Sequence, residues 1–300
     1  MKRWNARFPR RFDLDAVDDY LNWRDEKLAA YPATVGELVV ELGDMTAPTA
    51  TERAKLMELV ERANMALFTA GSATLDMDSL LGLGEQLGVT RTDKPARHAR
   101  SDELTDSGIL NRAVPFSTRP CNWHTDATYY GSDNTIDALF LLCKRPAPEG
   151  GSNRVLDHEM LYIQLREQDP GALEVLMRKD CFNYRNPATG EVDRTRGGKV
   201  FWTGADGHLR HRFSFRKTDM AWADESDVAA ARTVLESLIS APSPHMLEGR
   251  LESGMGLVSN NVLHTREPLV DSNDPAWKRL LFRVRFYDRV DPEHPASVPA

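Results

Sequence analysis

A histidine and an aspartate stand two residues apart in NWHTDATYY, Asn122–Tyr130. An extended segment repeats its side-chain direction every two residues, so His124 and Asp126 share a face. An imidazole and a carboxylate so placed are two members of a 2-His-1-carboxylate set. That set occupies one side of an octahedral ion and leaves three positions open, the arrangement used by non-haem Fe(II) oxygenases. The pair alone is a common surface feature. The chemistry needs a third ligand from elsewhere in the chain.

The chain has eight histidines. His98 and His294 lie in polar stretches, His158 starts a helical run, and His245 sits in the loop-like APSPHM. His208 and His211 are three apart on a strand-like segment and point to opposite faces. This leaves His264, in GLVSNNVLHTREP, which follows an apolar strand-like run. Downstream of it, KRLLFRVRFYD alternates with a period of two. Leu280, Phe282, Val284 and Phe286 form one face; Arg279, Leu281, Arg283 and Arg285 form the other. Arginines aimed inward are costly without anions, and a bidentate carboxylate is the natural partner. Trp123 and Tyr129 flank the His-x-Asp pair, where they either line a substrate pocket or pack in the core.

The elements that must hold these residues are mixed. The first third reads as helical. Leu14, Val17, Leu21 and Leu28 fall at helical spacing behind a run of aspartates. Thr49 and Glu52 have capping-box spacing ahead of Leu56, Val60, Ala63 and Leu67. A third helix covers Met77–Leu87 and stops at Gly88. Beyond residue 110 strands dominate, with ALFLLC at Ala138–Cys143 as a buried one. Helices are expected at Leu156–Arg166, Ala172–Arg178 and Asp224–Ile239, with Pro170 parting the first two, and a turn at NPATGE. HLRHRFSF puts Leu209, His211, Phe213 and Phe215 on one face. This pattern predicts an α+β fold with a double-stranded β-helix (jelly-roll) core, a helical N-terminal region and helical insertions. One domain spans 1–300, with a helical buttress over 1–90, the core over 110–290 and a lid-like insert over 184–201, which reads equally as a solvated hairpin.

NWHTD, PAPEGGSN at Pro146–Asn153, VLHTR and KRLLFR together resemble the TauD/TfdA group. These are clavaminate synthase-like, Fe(II)- and 2-oxoglutarate-dependent oxygenases. The resemblance implies that His124, Asp126 and His264 bind Fe(II). It implies that Arg279 holds the distal carboxylate of 2-oxoglutarate, with Asn153 where relatives have a threonine that helps. Arg283 matches an arginine that contacts an anionic group on the substrate. The chain departs from the family in having Ser259, Asn260 and Asn261 where many relatives carry Asp-Asn-Arg. Asp126 favours hydroxylation over halogenation, because related halogenases have a small residue there. The expected activity is oxidation by O2 of an unactivated C–H bond in a small anionic or amino-acid-like substrate, with release of succinate and CO2. Two rival readings use the same residues: a non-catalytic jelly-roll sensor of a metal or small anion, and a zinc hydrolase.

Bulk properties bound the rest. Hydrophobic residues make up 41% and charged residues 28%, enough for a core. A net charge of −7 argues against a general nucleic-acid binder. No apolar run is long enough to span a membrane, and the basic N-terminus lacks the apolar run of a signal peptide and reads as a solvated tail. The expected compartment is the cytoplasm, and a homo-oligomer is compatible with the sequence. The three cysteines have no CxxC spacing and predict neither a disulfide framework nor a zinc site.

Overall fold

The structure is a computed structural model that describes residues 4–71, 74–93, 103–106, 114–131, 134–178, 181–186, 189–215 and 220–292. His98, His294 and part of NPATGE lie outside the described residues. The chain begins with α1 (Trp4–Arg7), α2 (Val17–Ala30), β1 (Val39–Glu41), α3 (Ala50–Ala63), β2 (Met65–Thr69) and α4 (Met77–Gln86). Then come β3 (Glu103–Leu104), β4 (Cys121–His124), β5 (Ala138–Arg145), β6 (Glu149–Gly150) and β7 (Asn153–Leu156). Next are α5 (His158–Gln168), α6 (Pro170–Leu176), β8 (Phe182–Arg185), β9 (Val192–Gly198), β10 (Phe201–Thr203) and β11 (Leu209–His211). The last are β12 (Met220–Trp222), α7 (Ser226–Ser240), β13 (Met246–Gly249), β14 (Met255–Ser259), β15 (Leu263–Arg266), β16 (Leu269–Val270) and β17 (Leu280–Phe286).

Contacts divide the chain into two compact units, each built from separated segments. One comprises Pro32–Asn122, Ile136–Val155 and Leu247–Ala300. Its main sheet has the order β1-β2-β14-β5-β17-β3. Phe282, Val284 and Phe286 of β17 face the same cluster as Phe140 of β5, Phe68 of β2, Leu56 and Val60 of α3, and Leu80 and Leu83 of α4. This explains the alternation of LLFRVRF: the apolar face lies under helices, and the arginine face lies on the other side of the sheet. On that other side, Arg283 is paired in register with Leu141 of β5, which is paired with Leu257 of β14. A second sheet has the order β13-β7-β15-β4.

The other unit comprises Met1–Tyr31, Trp123–Thr135 and Leu156–Met246. It holds the helices α5, α6 and α7, a three-stranded sheet β12-β8-β9 and the hairpin β10-β11. Asp157 caps α5 and Asp169 caps α6, each accepting a backbone N–H of the first turn. Pro170 begins α6 rather than merely separating two helices, since its missing N–H costs nothing at the first helical position.

Three expectations change. Helix α3 has the capping box at Thr49 and Glu52, but it ends at Ala63. Asn64 closes it in the left-handed conformation (φ 55°), and Leu67 belongs to β2. The N-terminal third therefore supplies two strands of the main sheet as well as helices. In α2 the expected apolar stripe faces water: Val17, Leu21 and Leu28 are exposed, and Tyr20, Trp23 and Lys27 are buried. The aromatic face wins because Trp23 and Tyr20 pack edge-on against Phe12 and Tyr162. From Trp4 onward the basic N-terminus is also not a solvated tail. Phe8, Arg11 and Phe12 are buried, and Arg7 pairs with Glu26.

Candidate active site

The end of β4 is fixed by backbone bonds to the segment after β11. Thr125 N donates to Phe213 O (2.9 Å), Phe215 N donates to Trp123 O (3.0 Å), and His124 bridges Ser214. The chain then turns through Ala127, whose φ of 59° is unusual for a residue with a side chain. Tyr130 N closes the turn on Ala127 O at 3.0 Å. Asp126 is buried, and its Oδ1 lies 3.5 Å from His124 Nε2.

His264 is placed by the turn between β14 and β15. Asn261 sits in the left-handed region (φ 49°) and donates its side-chain amide to Ile136 O (2.8 Å). Asn260 exchanges hydrogen bonds with the backbone of Val290, 3.1 Å each way, and its N–H donates to Asn64 O at 2.8 Å. Asn64 Oδ1 in turn accepts from Arg289. The asparagines that stand in place of the family's Asp-Asn-Arg thus tie this turn to the end of α3 and to the chain beyond β17. His264 Nδ1 lies 2.9 Å from Val262 O. A carbonyl only accepts, so Nδ1 carries the proton and Nε2 presents a lone pair.

One ligand atom from each of His124, Asp126 and His264 lies within 4.8 Å of the other two. Strands β4 and β15, which carry the two histidines, are neighbours in one sheet. Two imidazoles and one carboxylate, one imidazole with its tautomer fixed by a carbonyl, fit a divalent transition ion bound on one face.

A pocket that opens to solvent reaches His264. Asn153 and Arg250 are its other polar walls, and Leu67, Leu141, Leu247 and Leu257 are among the apolar ones. Asn153 follows two glycines at positive φ, Gly150 (72°) and Gly151 (76°). A side chain at Gly150 would approach Pro268 O to 2.5 Å, so PAPEGGSN needs glycine there for the turn that delivers Asn153.

The three arginines of the inward face have different surroundings. Arg285 forms an ion pair with Asp93 at 2.5 Å. Arg283 is buried on β17. Arg279 is 7% exposed; its Nη1 has a long bond to Leu104 O (3.4 Å), and among the described residues no carboxylate forms an ion pair with it. Burial, then the neighbouring Arg266, pushes its guanidinium down to about 10, against the pull of Cys143 and Asp271. It is still a buried cation at neutral pH.

Trp123 is buried, whereas Tyr129 is half-exposed. Two buried arginines escape sequence reasoning. Arg266 donates to the carbonyls of Ser117 (2.8 Å) and Arg119, which fixes the loop before β4. Arg212 donates to Tyr130 O and to Arg196 O (3.3 Å). Their partners are carbonyls distant in sequence, so no local pattern announces them.

The model of the "Taurine catabolism dioxygenase TauD, TfdA family" matches residues 25–285. A uridine-5'-phosphate dioxygenase from Streptomyces sp is 31% identical over 214 residues, which is 68% of this chain and 77% of that protein. In fold, the chain is similar to asparagine oxygenase solved with Fe(II), 2S,3S-3-hydroxyasparagine and succinate (TM-score 0.60, 14% identity, 81% of each chain). It is equally similar to the non-haem iron oxygenase OrfP solved with Fe and alpha-ketoglutaric acid (TM-score 0.60, 16% identity, 81% of each chain). Neither the sensor nor the hydrolase reading is favoured by these likenesses. The chain belongs to the TauD/TfdA family of Fe(II)- and 2-oxoglutarate-dependent dioxygenases, and it is an oxidoreductase.

Proposed function

We propose that the protein oxidises a nucleoside 5'-monophosphate at an iron centre held by His124, Asp126 and His264. The observation that carries the reading is the convergence of these three donors within 4.8 Å. The name of the 31% identical relative supports the substrate class. A phosphate also answers the expectation, drawn from the inward arginines, of an anionic substrate.

With iron and 2-oxoglutarate bound, the family's chemistry couples release of succinate and CO2 to oxidation of a substrate C–H bond. The chain's own residues do the positioning. Arg279 pairs with the distal carboxylate of 2-oxoglutarate, which supplies the anion that its buried charge does not find among the described residues. Asn153, on the wall shared with His264, donates an amide N–H to the same molecule. Arg283, on the same strand face, meets an anionic group of the substrate. Trp123 supports β4 from the core, and Tyr129 faces the substrate. Apolar walls around the cavity keep water away from the reacting groups.

This reading takes residues 1–300 as one catalytic domain with a double-stranded β-helix core, and the single family match over 25–285 supports it. The cavity walls come from both β2-β14-β5 and β13-β7-β15, as the space between two jelly-roll sheets would. The reading takes residues 184–201, which hold most of the β8-β9 hairpin, as a lid over the substrate. It assigns the cytoplasm as compartment; the three buried free thiols fit a reducing one.

The test is succinate release with uridine 5'-monophosphate, Fe(II), 2-oxoglutarate and O2. Turnover is expected to require all four and to vanish in His124→Ala. Turnover that survives His124→Ala, or none with any nucleoside monophosphate, refutes the assignment.

A further inference from the structure

The turn that follows Asp126 delivers two tyrosines against the β8-β9 hairpin. Tyr129 and Tyr130 meet edge-on with centroids 4.8 Å apart, and Tyr129 meets Tyr184 of β8 at 6.4 Å and 64°. The Arg196 guanidinium lies over the Tyr184 ring at 5.5 Å, and its Nη1 donates to Tyr129 O at 3.3 Å. Beneath, Arg212 ties the carbonyls of Tyr130 and Arg196 together while lying 4.5 Å over the Phe182 ring. Arg212 is 2% exposed, and burial pushes it down to about 10, so it remains a cation holding turn and hairpin in place.

The three tyrosines are not core residues. Each is only partly buried, and the Arg196 side chain is 46% exposed. Rings that met only to fill a core would be covered, as Phe182 and Phe213 are in the same unit. Here edge-on rings with a guanidinium over one of them are tied together by Arg212 and stay partly exposed. Tyrosine faces beside an arginine are what planar bases stack on. Tyr129 is three residues beyond Asp126, so its Cα lies within about 11 Å of that of Asp126. The tyrosines thus stand close enough to Asp126 for one small ligand to touch both.

We propose that Tyr129, Tyr130, Tyr184 and Arg196 form a stacking platform for the base of the nucleotide substrate. The platform decides which molecules bear the right ring, while the groups near Asp126 act on the other end. This rests on the nucleotide reading above, but it is tested by binding alone.

Isothermal titration of uridine 5'-monophosphate, uridine and ribose 5-phosphate into the wild type, Tyr184→Ala and Tyr184→Phe reads the platform directly. Tyr184→Ala should weaken both uridine ligands about tenfold, the loss of one stacked base, and Tyr184→Phe should bind them within about twofold of the wild type. Ribose 5-phosphate should bind all three proteins alike. If Tyr184→Ala melts earlier than the wild type, Arg196→Ala makes the same comparison, with a loss of about threefold from the missing cation–π contact. The platform is wrong if the wild type binds no uridine ligand, if Tyr184→Ala and Arg196→Ala bind them unchanged, or if ribose 5-phosphate loses as much. Tyr184-dependent uridine binding without succinate release overturns the proposed function and leaves the platform standing. Succinate release from uridine 5'-monophosphate with affinity unaltered in both variants does the reverse.

Discussion

Arg279 shows how much a single residue can say. Its charge is buried, and among the described residues no carboxylate forms an ion pair with it, which is the ground for proposing it as the anchor of 2-oxoglutarate. Arg279→Ala should raise the KM for 2-oxoglutarate by about 10- to 100-fold, the range for losing a charged hydrogen-bonded partner, and Arg279→Lys should recover part of the loss. Initial rates at varied 2-oxoglutarate decide it; an unchanged KM assigns the anchor elsewhere. His124, Asp126 and His264 could be picked out as candidates because a His-x-Asp pair had a distant histidine behind an apolar strand to join it, although β4 ends at His124 and Asp126 stands in the turn beyond it, not on an extended segment. The arginine face of β17 was legible because alternation exposes what does not belong. Arg212 and Arg266 were not legible. Each serves backbone carbonyls, and a carbonyl leaves no trace in the sequence.

At the scale of elements, α2 carries the sharpest lesson. Lys27 is fully buried between Asp157 and Glu159 of the α5 N-terminus, 2.6 Å from each. Burial alone would raise Glu159, but Lys27, then Arg11 and His158, outweigh it and hold the carboxyl at about 2. A depressed acid contributes stability fully above its unfolded value of about 4.3 and loses it as pH falls toward about 2. Urea unfolding followed from pH 6 to pH 2.5 should therefore show the wild type losing more stability than Glu159→Gln. Parallel pH curves for the two proteins would remove the argument. Lys27→Ala, which strands two buried carboxylates, should cost about 3–5 kcal/mol at neutral pH. The spacing of Val17, Leu21 and Leu28 hid this face, because periodicity marks a helix but not which of two candidate faces the rest of the chain covers. The capping box of α3 was legible because its two partners are three residues apart. The end of that helix was not, because Asn64 gives way to a strand whose apolar residues continue the helical count.

At the scale of the whole molecule, the family match runs through segments of both compact units. An ion that binds only the folded chain stabilises it by mass action, about 2.7 kcal/mol at a hundredfold excess over its Kd. Under anaerobic conditions Fe(II) should raise the Tm of the wild type and not that of His264→Ala, and a chelator should reverse the rise. Equal shifts in both proteins would point to iron bound elsewhere. The α+β class was legible from the change in pattern near residue 110. The division of the chain into interleaved units was not, since contacts between distant segments leave no local period. One such contact has a consequence for how the protein is made. Asn64 joins the end of an early helix to Asn260 and to Arg289, and Asn260 is latched to Val290. A ribosome releases those partners in order, so the turn that aims His264 waits for the last strand and the residues just past it. A nascent chain can form the turn at Asp126 long before the latch beside His264 can close.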